Sequence, residues 1–283
     1  VTETMSLLRN RVVAITGSSS GIGRAIALKC ASQGASILIH HLGTVESKRD
    51  AESLLSEIRD SPSIRNKPEQ PIAKHTTIGV NLTLPGAAQQ IVEHAVSTFG
   101  RLDTLVNNAG ICRFSPPLDV TADELQLHTD VNFKAAWLLT QAATKQMVVQ
   151  QEEEGASKNG RGGGSIINIS SITARLGSSE LCHYAPAKAA LLGMSTSFAT
   201  AFGKYGIRYN SILPGTIETT MNRENLDQGD TRARMTSRVP LGRLGTPEDV
   251  AGAVIYFASD ELSGYVTGQW MLVDGGGSIY YQE

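Results

Sequence analysis

The sequence predicts a doubly wound parallel α/β sheet, and three observations lead there. Short, largely apolar runs alternate with helical stretches, those runs lack a strict apolar–polar alternation, and a glycine-rich turn follows the first of them. The strand runs are residues 12–15, 37–39, 104–106, 166–169, 209–213 and 271–273, rich in β-branched and aliphatic side chains. Apolar residues on both faces of such runs imply burial on both sides, as in a parallel sheet covered by helices. Between the strands, Ile22, Ile26 and Cys30 share one helical face, and so do Val250, Val254 and Ala258. Right-handed crossovers then wind helices onto both faces and place a ligand beyond the carboxyl ends of the strands, at the topological switch point.

Composition narrows the function classes. A chain of 283 residues with 41% hydrophobic side chains can bury a large core, and a single domain spanning 1–283 is expected. A net charge of -2 offers no basic field to nucleic acid or anionic lipid, so a small molecule is the expected partner. The three cysteines, Cys30, Cys112 and Cys182, lack metal-ligand spacing and are read as free, packed thiols of a reducing compartment. No run is long and apolar enough for a membrane span and no basic leader opens the chain, so a cytoplasmic location is expected. Residues 61–71 and the acidic, then glycine-rich residues 152–164 are read as exposed loops.

The cofactor end begins directly after the first strand. There, Gly17, Ser19, Ser20, Gly21, Ile22 and Gly23 form a turn whose glycines let the backbone approach a pyrophosphate at a helix N-terminus. At the end of the second strand a carboxylate would bind the adenosine ribose and repel a 2′-phosphate, but the residues are His40, His41, Leu42 and Gly43. The absent carboxylate points to NADP with NAD also accepted, and His41 is the candidate contact to the phosphate. No third ligand accompanies the histidine pair, so no metal is expected there.

The chemical end lies later in the chain. Tyr184 and Lys188 are four residues apart, hence on one helical face. A tyrosine needs a neighbouring cation to act as a base near neutrality, and Lys188 is placed to supply one. Ser171 follows a buried strand at its carboxyl end and can hydrogen-bond the reacting oxygen, while Thr173 and His183 flank the serine and tyrosine and are candidate substrate contacts.

Together these residues resemble the short-chain dehydrogenase/reductase family over nearly the whole chain: Gly17, Gly21, Ile22 and Gly23, residues 107–110, Asn132, Ser171, Tyr184, Lys188, Pro214 with Gly215, and residues 273–276. The resemblance implies a Rossmann-type fold and a homotetramer contacting through the helix that starts near Thr121 and the helix that carries Tyr184. It also implies that Tyr184 exchanges the proton, Ser171 orients the substrate, Lys188 holds the nicotinamide ribose and Asn132 completes a proton relay through water. By the same resemblance Asn81, Leu82, Asn108, Ala109, Gly110, Pro214, Gly215, Ile217 and Thr219 contact the cofactor. Two departures stand out: Asn81-Leu82 replaces the family's frequent Asp-Val after the third strand, and Ser20 stands where NADP-preferring members often carry Arg or Lys.

A narrower resemblance, over residues 107–114, 183–192, 213–217 and 234–245, is to the L-rhamnose 1-dehydrogenase group of sugar dehydrogenases. It implies NAD(P)-dependent oxidation of L-rhamnose at C1 to a lactone. A polar substrate loop at about 214–236, containing Thr216, Glu218, Thr219, Asn222 and Arg223, has the hydrogen-bonding groups to read sugar hydroxyls. The competing expectations are a β-ketoacyl carrier-protein reductase or other carbonyl reductase, and a dinucleotide-sensing regulatory protein without chemistry.

Overall fold

Successive side chains of a strand point to opposite faces, so a strand covered on both sides is apolar on both or pairs its polar groups internally. The computed structural model describes residues 6–61, 64, 73–153 and 162–280. In β1 (Val12–Ile15), Val13 and Ile15 enter one core with Ile26, Ile37 and Val254, while Val12 and Ala14 enter a second with Leu105, Leu139 and Met147. Each fully buried Val, Leu, Ile or Met side chain contributes about 1.5–3 kcal/mol.

The remaining strands are β2 (Ser36–His41), β3 (His75–Gly79), β4 (Thr104–Asn107), β5 (Gly164–Ile169), β6 (Ile207–Pro214) and β7 (Trp270–Val273). All pair in parallel, in the order β3-β2-β1-β4-β5-β6-β7, with Val13 opposite both Ile37 and Thr104. The order reverses at β1 and β4, so the loops leaving those strands diverge and open a crevice. The helices are α1 (Gly21–Ser32), α2 (Val45–Asp60), α3 (Ala87–Phe99), α4 (Ala122–Thr129), α5 (Ala135–Glu153), α6 (Tyr184–Phe202), α7 (Thr220–Leu226), α8 (Thr231–Ser237), α9 (Pro247–Ala258) and α10 (Asp260–Ser263). Helices α1 and α9 cover one face together, and α3 and α5 lie side by side on the other.

Several differences from the sequence reading have physical causes. Strand β3 has no apolar run because it is the sheet edge, with only β2 as neighbour. The helix beginning after Thr121 is two helices joined by a single π-helical turn, Asp130–Lys134. Residues 214–236 are not simply a loop but carry α7 and α8. Most of the loops expected at 61–71 and 152–164 lies outside the described residues, although Glu152 and Glu153 belong to α5 and Gly164 opens β5. The packing expected of all three cysteines holds for Cys30 alone: Cys112 is half-buried beside the crevice and Cys182 is exposed in the turn before α6. Among the described residues no helix is long and apolar enough to cross a membrane.

Candidate active site

The loop from β1 to α1 is shaped by close backbone approach. Gly17 has φ +60, and a Cβ there would meet the Ala109 Cα at 3.0 Å. A Cβ on Gly23 would lie 2.4 Å from the Gly17 carbonyl oxygen, so α1 can start this close to the turn only with glycine. Thr16 Oγ1 accepts from the backbone N–H groups of Asn108 and Ala109, both at 2.9 Å. In return Asn108 Nδ2 donates to the carbonyls of Thr16 at 2.9 Å and Gly17 at 3.1 Å, fastening the two loops of the switch point together.

His40 is a brace for this loop. Its Nδ1 accepts the Gly17 N–H at 3.0 Å, so Nε2 carries the proton and donates to the Val80 carbonyl at 2.8 Å. Burial lowers its pKa to about 4, which keeps the ring neutral. His41, the residue expected to touch the phosphate, does not line the crevice: its ring packs against Gly79, and Nδ1 accepts the Gly43 N–H at 3.2 Å. Successive residues of a strand face opposite ways, so His40 and Leu42, joined by Ser47 of α2, line the crevice in place of His41. Asn81 and Leu82 do line the crevice, and Asn81 Oδ1 accepts from both the N–H and the hydroxyl of Thr83, at 3.0 and 2.9 Å.

At the other end, β5 delivers two serines in opposite directions. Ser170 Oγ donates to the Lys188 carbonyl at 2.8 Å and is buried against α6. Ser171 turns toward the crevice, where its Oγ accepts from the Thr173 N–H at 3.1 Å and the Thr173 hydroxyl at 2.9 Å. Both acceptor sites of Ser171 are therefore filled, which leaves its one proton to be donated to the Tyr184 oxygen or to a bound substrate. Tyr184 opens α6 beside it. Burial pushes the phenol pKa up, the nearby Cys112 adds to this, and a hydrogen bond with Ser171 pulls it back.

Lys188 follows one helical turn later and is 4% exposed. Its Nζ donates to the Ile169 carbonyl at 3.0 Å and lies 5.6 Å from the centre of the Tyr184 ring. Burial brings its pKa down to about 8, partly opposed by Cys112. Asn132 sits in the π-helical turn and does not line the crevice. Its amide clasps the backbone of Ile111 instead, Oδ1 accepting at 2.9 Å and Nδ2 donating at 3.0 Å, which holds the segment after β4 against the turn between α4 and α5.

Thr173, Thr216, Thr219 and Asn222 line the same crevice, with Asn222 Nδ2 donating to the Ile217 carbonyl at 2.9 Å. Pro214, Gly215 and Ile217 line it as well, along with Ser19, Ser20, Gly21 and Ile22, whereas Gly23 lies behind the loop. His183 does not line it; this corrects the substrate contact expected there, because the ring is buried against His128 under the start of α6. Glu218 is likewise outside, ion-paired with Arg232, and Arg223 does not reach the lining either. Sequence reasoning missed Arg113 and Phe114 after β4, Asn225 in α7 and Arg238 at the end of α8, which converge from three separate segments.

The crevice measures about 880 Å³ and runs from Gly17 to Met235. It suits an extended dinucleotide with a small substrate. The glycine turn provides a cradle that side chains would fill, at the amino end of α1, where the helix dipole favours a pyrophosphate.

Comparison with known proteins agrees with this geometry. A family model described as Enoyl-(Acyl carrier protein) reductase matches residues 17–278. An L-rhamnose-1-dehydrogenase of Scheffersomyces stipitis is 44% identical over 270 residues, 95% of this chain and 96% of the relative. An L-rhamnose 1-dehydrogenase (NAD(P)(+)) of Azotobacter vinelandii is 44% identical over 271 residues, 95% of this chain and 97% of the relative. Among solved structures, a short-chain dehydrogenase/reductase from Serratia marcescens superposes with a TM-score of 0.79 at 30% identity, covering 96% of this chain and 99% of that one.

Proposed function

Because this chain belongs to the short-chain dehydrogenase/reductase family, we propose that it oxidises L-rhamnose at C1 to the lactone, using NADP and accepting NAD. The observation that carries the chemistry is the convergence of Ser171, Tyr184 and Lys188 at the carboxyl end of β5. The substrate is inferred from the names of the two relatives at 44% identity.

The glycine turn, Asn81, Leu82 and residues 108–110 would hold the dinucleotide from its pyrophosphate to its adenine, with Lys188 at the nicotinamide ribose and Pro214, Gly215, Ile217 and Thr219 around the ring. When bound, the oxidised nicotinamide supplies the hydride acceptor and a positive charge that favours the phenolate. Ser171 would turn its one proton from Tyr184 to the sugar's C1 oxygen and so fix that oxygen beside Tyr184. The Tyr184 phenolate takes the hydroxyl proton while the C1 hydrogen departs as hydride, leaving a carbonyl at C1. Lys188, held by the Ile169 carbonyl, keeps its ammonium near the phenol and so stabilises the charged base.

The substrate side of the crevice combines Thr173, Thr216 and Asn222 with apolar Phe114, Leu176 and Met221. This suits a deoxy sugar, whose hydroxyls need partners and whose C6 methyl needs an apolar wall. The apolar share also keeps a second reading in play, reduction of a β-ketoacyl carrier-protein thioester. Initial rates of NADPH and NADH formation from L-rhamnose, L-lyxose, L-mannose, D-glucose and a simple polyol, alongside NADPH consumption with acetoacetyl thioester, separate the two. Activity on L-rhamnose supports the proposal, and activity on the thioester with none on sugars replaces it. The complete Ser171, Tyr184 and Lys188 set argues against a regulatory protein that only binds dinucleotide.

A further inference from the structure

Beneath the first turn of α6 lies a polar cluster that the reaction does not use. Helix α4 presents Glu124 and His128 on one face, four residues apart, and His183 comes down on them from the residue before Tyr184. The two imidazoles meet edge to face at 4.2 Å, and one donor atom from each of the three residues lies within 4.8 Å of the others.

The protonation of His128 is fixed by its neighbour. Nδ1 lies 2.9 Å from the Glu124 backbone carbonyl, which can only accept, so Nδ1 carries the hydrogen and the lone pair is on Nε2. That Nε2 is buried without a hydrogen-bond partner, on a side chain that is 0% exposed. His183 is 3% exposed, and neither of its ring nitrogens has a hydrogen-bond partner. Its Nε2 lies 3.8 Å from Glu124 Oε1, which accepts the Ser115 hydroxyl at 2.9 Å. Buried polar atoms without partners are rare, and a cluster of three on two facing imidazoles calls for an explanation such as a bound ion or water.

We propose that Glu124, His128 and His183 bind a divalent transition-metal ion, best suited to zinc. Two imidazoles and one carboxylate are a zinc donor set, with bonds of about 2.0–2.2 Å and a fourth position open to water. A histidine ligand ordinarily donates its other ring N–H to a carbonyl or carboxylate, the arrangement His128 already has. The carboxylate supplies one negative charge, and Arg113, whose charge reaches His128, is on the exposed surface and can turn to solvent. The ion would tie α4 to the start of α6 and hold Tyr184 from behind, a positioning role that requires no metal in the hydride transfer.

The test uses the full chain, free of any histidine tag, stripped with a chelator and titrated with Co²⁺ while its visible absorption is recorded, followed by displacement with Zn²⁺. The expected result is one equivalent bound with the intense band of a tetrahedral nitrogen and oxygen site, loss of the band on Zn²⁺ addition, and a raised Tm. Glu124→Gln and His128→Gln are each expected to weaken binding roughly tenfold or more. X-ray absorption of the zinc-loaded wild-type protein, which needs no variant to fold, is expected to show two imidazoles in the coordination shell. Absence of stoichiometric binding, a shell without imidazole, or affinity unchanged in both variants overturns the proposal, leaving the cluster to a water molecule or to a His183–Glu124 ion pair.

Discussion

His40 Nδ1 accepts the backbone N–H of Gly17 at 3.0 Å, so a buried, neutral imidazole at the end of β2 braces the loop that would receive the pyrophosphate. Burial holds its pKa at about 4 against an ordinary 6.5. The unfolded chain therefore binds the extra proton first as pH falls. His40 contributes stability that is fully present above pH 6.5 and is lost as pH drops toward 4. His75 is depressed to about 4 by burial as well and adds to the same window. Urea midpoints measured from pH 7 to 4 should fall steadily, and His40→Gln should flatten the slope by up to one proton, about 1.4 kcal/mol per pH unit. An unchanged slope contradicts the brace.

Gly23→Ala places a Cβ 2.4 Å from the Gly17 carbonyl oxygen and 2.8 Å from the Ser18 Cα. Both are backbone atoms and cannot swing away. The expected cost is about 1–3 kcal/mol of stability, together with a weakened affinity for NADPH measured by fluorescence titration. Unaltered binding would mean the turn does not carry the pyrophosphate.

The two serines at the end of β5 separate chemistry from packing. Ser171→Ala should lower kcat by about 10²-fold, comparable to the removal of a group that hydrogen-bonds the reacting oxygen. Ser170→Ala removes the bond to the Lys188 carbonyl and should cost about 0.5–1.5 kcal/mol of stability with a much smaller effect on turnover. Steady-state kinetics and urea denaturation on both variants check the assignment, and the reverse pattern overturns it.

The thiols should react in a set order. Cys182 is exposed, Cys112 is half-buried with its pKa raised to about 11, and Cys30 is fully buried with its pKa raised to about 12. With a disulfide reagent, one thiol should react at once, a second slowly and only without cofactor, and the third after unfolding. Fast reaction of two thiols in the presence of NADPH would contradict the placement of Cys112 in the crevice.

What could be read in the sequence follows from how local each signal is. Residues 12–15 announce a central strand because both of their faces are covered, and the turn at Gly17 and the Tyr184–Lys188 spacing are complete within a few positions. Strand β3 was hidden because an edge strand with the sequence HTTIG needs no apolar run. The exchange of His40 for His41 turned on one residue of register, which periodicity does not settle at a strand end. The association of Glu124, His128 and His183, and of Asn132 with Ile111, depends on the packing of separate elements, and no motif marks it.

In the proposed reaction Tyr184 performs the proton transfer for oxidation at a sugar C1. The most direct measurement is the initial rate of NADPH formation from L-rhamnose by the wild-type chain and by Tyr184→Phe, with the Kd for NADPH of each. Activity is expected in the wild type, with a loss of about 10²–10⁴-fold or more in kcat for the variant and little change in Kd. A variant that keeps most of its rate contradicts this role for Tyr184.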